Sequence, residues 1–125
     1  MDVYTIQMSN HRIAAAKNIP ILDITVKSGI PAFAPTWDMV LGYKSGTLTE
    51  SEYTLQYYIQ MRHSYMSSDT RYRHAWDRML ELPLFAVACF CPVGAFCHRH
   101  LFVDMIDKVC RQKHIPYQYL GELVS

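Results

Sequence analysis

The stretch Leu84–Arg111 constrains this chain most. It opens with an uninterrupted apolar run of strand length, LFAVACFC (Leu84–Cys91), rich in Phe, Val and Ala and bounded by Pro83 and Pro92. Such a run predicts a strand buried on both faces, as in parallel sheets. A Pro/Gly loop, PVGAF, follows, and then CHRHLFVDMIDKVCRQ. In this last segment Leu101, Phe102, Met105, Ile106, Val109 and Cys110 recur at helical spacing and form one stripe, with Asp104, Asp107, Lys108 and Arg111 mostly opposite. The unit is therefore strand, glycine-containing loop and amphipathic helix, with Cys91, Cys97, His98, Arg99 and His100 gathered at the joint. A helix N-terminus at the carboxyl end of a parallel strand carries unpaired N–H groups and partial positive charge, so it favours anions. Arg99 strengthens that preference.

Size limits what can surround this unit. At 125 residues the chain makes one domain, residues 1–125, large enough for a core covered by helices. A formal net charge of +1 gives no global field of the kind that marks a duplex nucleic-acid binder. No N-terminal signal pattern occurs, and no apolar run reaches the roughly 18 residues of a membrane span, so a cytoplasmic protein with no membrane partner is expected. In that setting the four cysteines are thiols, metal ligands or catalytic groups rather than a disulfide framework.

The remaining elements alternate. Asp2–Met8 carries β-branched and aromatic residues and predicts a first strand, broken at Ser9-Asn10, either of which is a candidate cap for a short helix over Arg12–Lys17. Ile21–Val26 predicts a second strand whose Asp23 needs a partner, either a backbone turn, an Arg or a ligand. Ser28–Pro35 is loop. A helix is expected over Thr36–Tyr43, ended by Gly42 or Gly46, and Thr49-x-x-Glu52 has the form of a capping box for a helix to about Ser64. On that helix Tyr53, Tyr57 and Met61 share a face. Another helix covers Arg71–Leu82, with Trp76, Met79 and Leu80 inward and Arg71, His74 and Arg78 forming a basic face. Ile115–Leu120 predicts the last strand, with Gly121-Glu122 at its end. The alternation implies an α/β fold: a small Rossmann-like three-layer sandwich with a mostly parallel four-stranded sheet. If the first and third strands are neighbours, Ser9-Asn10-His11 and Pro92–Arg99 line a crevice at the carboxyl edge of the sheet.

Several chemistries compete at the joint. Cys89, Cys91, Cys97, His98 and His100 have neither the C-x2–4-C nor the H-x3–5-H spacing of standard zinc sites, so no metal and no cofactor are expected. A cysteine-phosphatase loop places its arginine six residues after the cysteine, whereas Arg99 is eight after Cys91 and two after Cys97. An equally open reading makes Arg99 the partner of a carboxylate such as Glu122 or Asp23, and His98 a satisfied, half-buried histidine. Anion or nucleotide binding requires least: N–H donors, the Arg99 fork and an aromatic such as Trp37, Tyr43, Tyr57 or Tyr58 to stack on a base. Neither G-x-G-x-x-G nor a Walker-type loop occurs, which argues against a standard dinucleotide or triphosphate enzyme.

Motifs spread along the chain add a resemblance. YTI (Tyr4–Ile6), PAFAPTW (Pro31–Trp37), YKSGTLTESEY (Tyr43–Tyr53), Met61-Arg62, CPVGAFCHRHL (Cys91–Leu101) and GEL (Gly121–Leu123) together resemble the DUF488 family of small bacterial, archaeal and phage proteins. The resemblance implies a Rossmann-like fold whose motif residues converge near one pocket. It carries over Ser9, Phe33, Tyr43, Lys44, Tyr53, Arg62, Cys97, His98, Arg99 and Glu122 as ligand-binding positions, to which the crevice adds Asn10. The chain departs from the family after the second strand, where Lys27–Ala34 stands in place of longer arginine-rich segments. The expected function is binding of a small phosphorylated ligand, a nucleotide above all, with sequestration of a signalling nucleotide without turnover as one form it could take. The alternatives are an enzyme acting on a nucleoside or nucleotide at its glycosidic bond, with Glu122 or Asp23 as nucleophile or base and His98 as acid, and a zinc-bearing or protein-interaction module. Seven Met and nine Tyr exceed what so small a core hides, which raises a homo-oligomer as a further expectation.

Overall fold

Side chains alternate between two faces along Asp2–Gln7, and this segment forms the first strand, β1, of the computed structural model, which describes residues 1–125. A single 3-10 turn (Met8–Asn10) leads into α1 (His11–Ala16), β2 (Ile21–Asp23), α2 (Trp37–Ser45), α3 (Glu50–Met66), α4 (Thr70–Glu81), β3 (Leu84–Cys89), α5 (His98–Gln112) and β4 (Gln118–Leu123). The sheet order is β2-β3-β1-β4 and every pairing is parallel, so the Rossmann-like α/β expectation holds and β1 and β3 are neighbours.

The two faces of the sheet differ in what covers them. Val3, Phe85, Val87 and Leu22 point into the larger core with Tyr57 and Met61 of α3, Trp76 and Met79 of α4 and Phe102 and Ile106 of α5. Ile6, Ala86, Ala88 and Leu123 point the other way, against Ala14 of the six-residue α1. The small Ala86 and Ala88 let that short helix sit close. Because β3 alternates, Cys89 follows Phe85 and Val87 onto the α3/α5 face, and this parity starts the site described below.

Local signals set several boundaries. Thr49 Oγ1 accepts from Glu52 N at 3.1 Å while Glu52 Oε1 accepts from Thr49 N at 3.0 Å, so the capping box forms at the start of α3. Thr36 and Asp69 cap α2 and α4, and α2 stops at Gly46 (φ 80°). Neither Ser9 nor Asn10 uses its side chain to cap α1.

Two strand ends differ from expectation. β2 stops at Asp23 rather than Val26, because the Asp23 carboxylate accepts from Thr25 N at 2.9 Å and from Ser28 Oγ at 2.7 Å and folds the chain back. Gly29 closes this turn, with its N–H on Thr25 O and that of Ile30 on Asp23 O, both at 2.9 Å. At the other edge Gly121 and Glu122 lie inside β4, not after it. Val3 pairs with Tyr119 and Tyr4 with Gly121, so Leu120 is the extra residue of a bulge and Gly121 takes φ 101°. No helix is long and apolar enough to cross a membrane.

Candidate functional site

Three thiols meet where β3 gives way to α5. Cys89 is the last residue of β3, Cys91 lies two residues on in the loop, and Cys97 is the N-cap of α5; their sulfurs all lie within 4.8 Å of one another. All are free, with Cys89 and Cys97 buried and Cys91 more accessible. Cys89 and Cys97 direct their thiols at Cys91 and hold its pKa far below the ordinary thiol value, with help from the Arg99 charge against the opposing effect of burial. Cys89 is correspondingly pushed up, to about 11, by the thiolate beside it.

His98, the first residue of α5, packs beside the sulfurs at 4 % exposure. Its Nε2 lies 2.7 Å from Ile24 O. A carbonyl can only accept, so Nε2 carries the proton. Burial lowers the His98 pKa, keeping the ring neutral and Nδ1 bare. That bare nitrogen faces Cys89 Sγ at 3.7 Å and Cys97 Sγ at 3.9 Å.

Arg99 points away from this cluster. Its side chain is wholly buried and grips Glu122 of β4 through Nε to Oε1 at 3.2 Å and Nη2 to Oε2 at 3.3 Å. Nη1 donates to Cys91 O at 2.9 Å, with Nη2 3.4 Å from Pro92 O. The guanidinium fork is spent on the protein itself, as a clamp between the loop and the edge strand. Gln7 Oε1, accepting from Val93 N at 3.3 Å, ties the same loop to β1.

A cavity of about 330 Å³ opens on the other side of the loop, above the thiols. It lies at the carboxyl edge of the sheet, next to β2 and β3 rather than between β1 and β3. Thr25, Val26 and Lys27 from the turn after β2, Trp37, Val40, Tyr43 and Lys44 from α2, Tyr53 from α3 and residues Cys89–Pro92 and Ala95–His98 line it. Tyr43, Tyr53 and Phe96 pack as one aromatic wall, with Tyr43 and Phe96 ring centres 5.0 Å apart and Tyr53 and Phe96 5.4 Å apart. Trp37 and Phe90 also border it yet remain 52 % and 51 % exposed. Two lysines and no carboxylate are among the lining residues.

The expected site residues therefore divide. Tyr43, Lys44, Tyr53, Cys97 and His98 come together on this cavity. Arg99 and Glu122 lie beneath the loop, joined to each other. Phe33 is a core residue, its ring 5.0 Å from Trp76 and 4.9 Å from Phe102. Arg62 is exposed on α3, beside the buried Met61. Ser9 and Asn10 sit in the turn after β1 and do not line the cavity, because the β1 side of the loop is closed by Gln7 and the Arg99–Glu122 pair. The exposed basic face of α4 does not line the cavity either. Asp23 and Glu122, the carboxylates a glycosidic-bond reading would use, are engaged in the turn after β2 and with Arg99. Lys27 and Phe90 also line the cavity, and their signal in the sequence is position alone, each following the carboxyl end of a strand.

Neither curated proteins nor solved structures gave a match to the chain. A family model does: DUF488-N3a, described as the "Active DUF488-N3 subclade", matches residues 7–109, and the chain belongs to that family.

Proposed function

We propose that the cavity binds a small ligand with a planar ring and an anionic end, a mononucleotide being the best chemical match, and that it does so without using Arg99. One observation carries the reading: an aromatic-walled cavity with Lys27 and Lys44 and no carboxylate among its lining residues. Its volume falls at the lower end of small-molecule sites, which run from about 300 to 1,000 Å³. Trp37 and Phe90 are large aromatics exposed at its border, surfaces that a stacked ring would remove from water. The two lysines supply the charge for a phosphate as flexible point cations rather than as a planar fork.

The test compares nucleoside monophosphates with the matching nucleosides by calorimetry and thermal unfolding. A monophosphate at about 100 times its Kd stabilises the fold by about 2.7 kcal/mol. The nucleoside, lacking the anion, binds more weakly, and Lys44→Ala brings the monophosphate close to the nucleoside. Equal affinity for the two, or no affinity for either, refutes the proposal. Mass analysis of the ligand recovered after denaturation then separates sequestration, which returns it intact, from turnover.

A further inference from the structure

We propose that Cys89, Cys91, Cys97 and His98 form a tetrahedral site for a soft divalent cation, zinc first, in the floor of the cavity. Zinc–sulfur and zinc–nitrogen bonds of about 2.3 and 2.0–2.1 Å place sulfurs about 3.8 Å apart and sulfur about 3.6 Å from nitrogen around a tetrahedron. Three of the six edges have this size, 3.9 Å from Cys89 Sγ to Cys91 Sγ, 3.7 Å from Cys89 Sγ to His98 Nδ1 and 3.9 Å from Cys97 Sγ to His98 Nδ1, and the three sulfurs lie within 4.8 Å of one another. Cys91, on the loop, is the most accessible of the three thiols and the ligand that must close on His98 to complete the set.

The surroundings are those of a ligand set. His98 gives its Nε2 proton to Ile24 O at 2.7 Å, which fixes the tautomer that leaves Nδ1 free to ligate. Arg99 holds the Cys91 carbonyl at 2.9 Å, fixing the loop and placing positive charge beside a centre that three thiolates around a divalent cation would make anionic. Each thiol that enters as thiolate releases its proton to solvent. The C-x-C-x5-C-H spacing matches no standard zinc pattern because the ligands come from a strand end, a loop and a helix start rather than from one tight turn. This site does not depend on what the cavity above it holds.

The experiment uses the full chain, reduced and stripped of metal with a chelator, titrated with Co(II) and then Zn(II). One equivalent of Co(II) should produce tetrahedral ligand-field absorption with thiolate-to-cobalt charge transfer, and one equivalent of Zn(II) should abolish both. His98→Gln should keep the charge transfer and alter the ligand-field bands, whereas Cys97→Ser should weaken Co(II) binding at least about tenfold, in line with the loss of a ligand. Circular dichroism reports whether the variants fold. A wild-type readout covers the case in which they do not: zinc should protect three thiols from a thiol reagent, leaving the reactivity of Cys110 unchanged. No charge-transfer band, or equal thiol reactivity with and without zinc, overturns the proposal. Recovery of the cluster as a disulfide that, once reduced, takes up no metal overturns it equally.

Discussion

Replacing Glu122 by Gln removes one charge and almost no volume, and so isolates what the ion pair with Arg99 contributes. The Arg99 side chain is fully buried while that of Glu122 is 17 % exposed. Removing one partner of a buried pair costs about 3–5 kcal/mol, because the remaining charge is left uncompensated. Two features reduce that here. Arg99 keeps Cys91 O and Pro92 O as acceptors, and Gln still offers one oxygen to the fork. A cost of about 2–3 kcal/mol remains. With an unfolding entropy of about 2.1 cal/mol/K per residue, 1 kcal/mol corresponds to roughly 4 °C in a chain of this size, so Tm should fall by about 10 °C. Differential scanning calorimetry of the wild type, Glu122→Gln, Arg99→Met and the double variant Arg99→Met/Glu122→Leu reads this directly. The double variant should recover much of the loss, since an apolar pair of similar volume carries no desolvation penalty. A Glu122→Gln protein melting within about 2 °C of the wild type would refute the reasoning: the guanidinium would then be hydrated and available to a ligand.

Further outcomes follow from other positions. Gly29→Ala should fail to fold or lose most of its stability in a denaturant melt, because a Cβ there would lie 2.4 Å from both Thr25 N and Thr25 O. Phe33→Ala should cost about 3–5 kcal/mol in urea unfolding yet leave the affinity of the folded protein for a monophosphate unchanged, since its ring packs on Trp76 and Phe102 and not on the cavity. Thr49→Ala should cost about 1 kcal/mol by the same measurement, through the cap that it gives Glu52 N. Added salt should weaken monophosphate binding, because Lys27 and Lys44 are exposed and screened, but should not change the Tm difference between the wild type and Glu122→Gln.

Local signals in the sequence were largely sufficient for the elements and insufficient for the site. The capping box, the Gly46 stop and the apolar run of β3 act within a few residues, so they read directly from the chain. The β-branched run Ile21–Val26 misled because Asp23 sits inside it: a short carboxylate bonding its own backbone outcompetes a strand ladder only three residues long. Glu122 misled because the bulge at Leu120 depends on the register against β1, a long-range property. The same holds for Arg99. A basic residue at a helix N-terminus reads either as an anion ligand or as the partner of a carboxylate such as Glu122, and the arrival of β4 beside the loop decides for Glu122.

That choice of partner links stability to chemistry at the joint. Arg99 does not face the cavity, yet it grips the carbonyls of Cys91 and Pro92 while anchored to β4 through Glu122. The loop that carries Cys91 is thereby held between a strand end bearing Cys89 and a helix start bearing Cys97 and His98. Three backbone segments that would otherwise move separately are brought to one spacing, and the sulfurs take their separations from it. Arg99→Ala is therefore unsuited to ask whether the cavity binds an anion, since it would loosen the floor and destabilise the fold whatever the ligand. Lys44→Ala removes charge from an exposed side chain at the cavity with no ion pair to break, and so separates ligand recognition from the integrity of the floor.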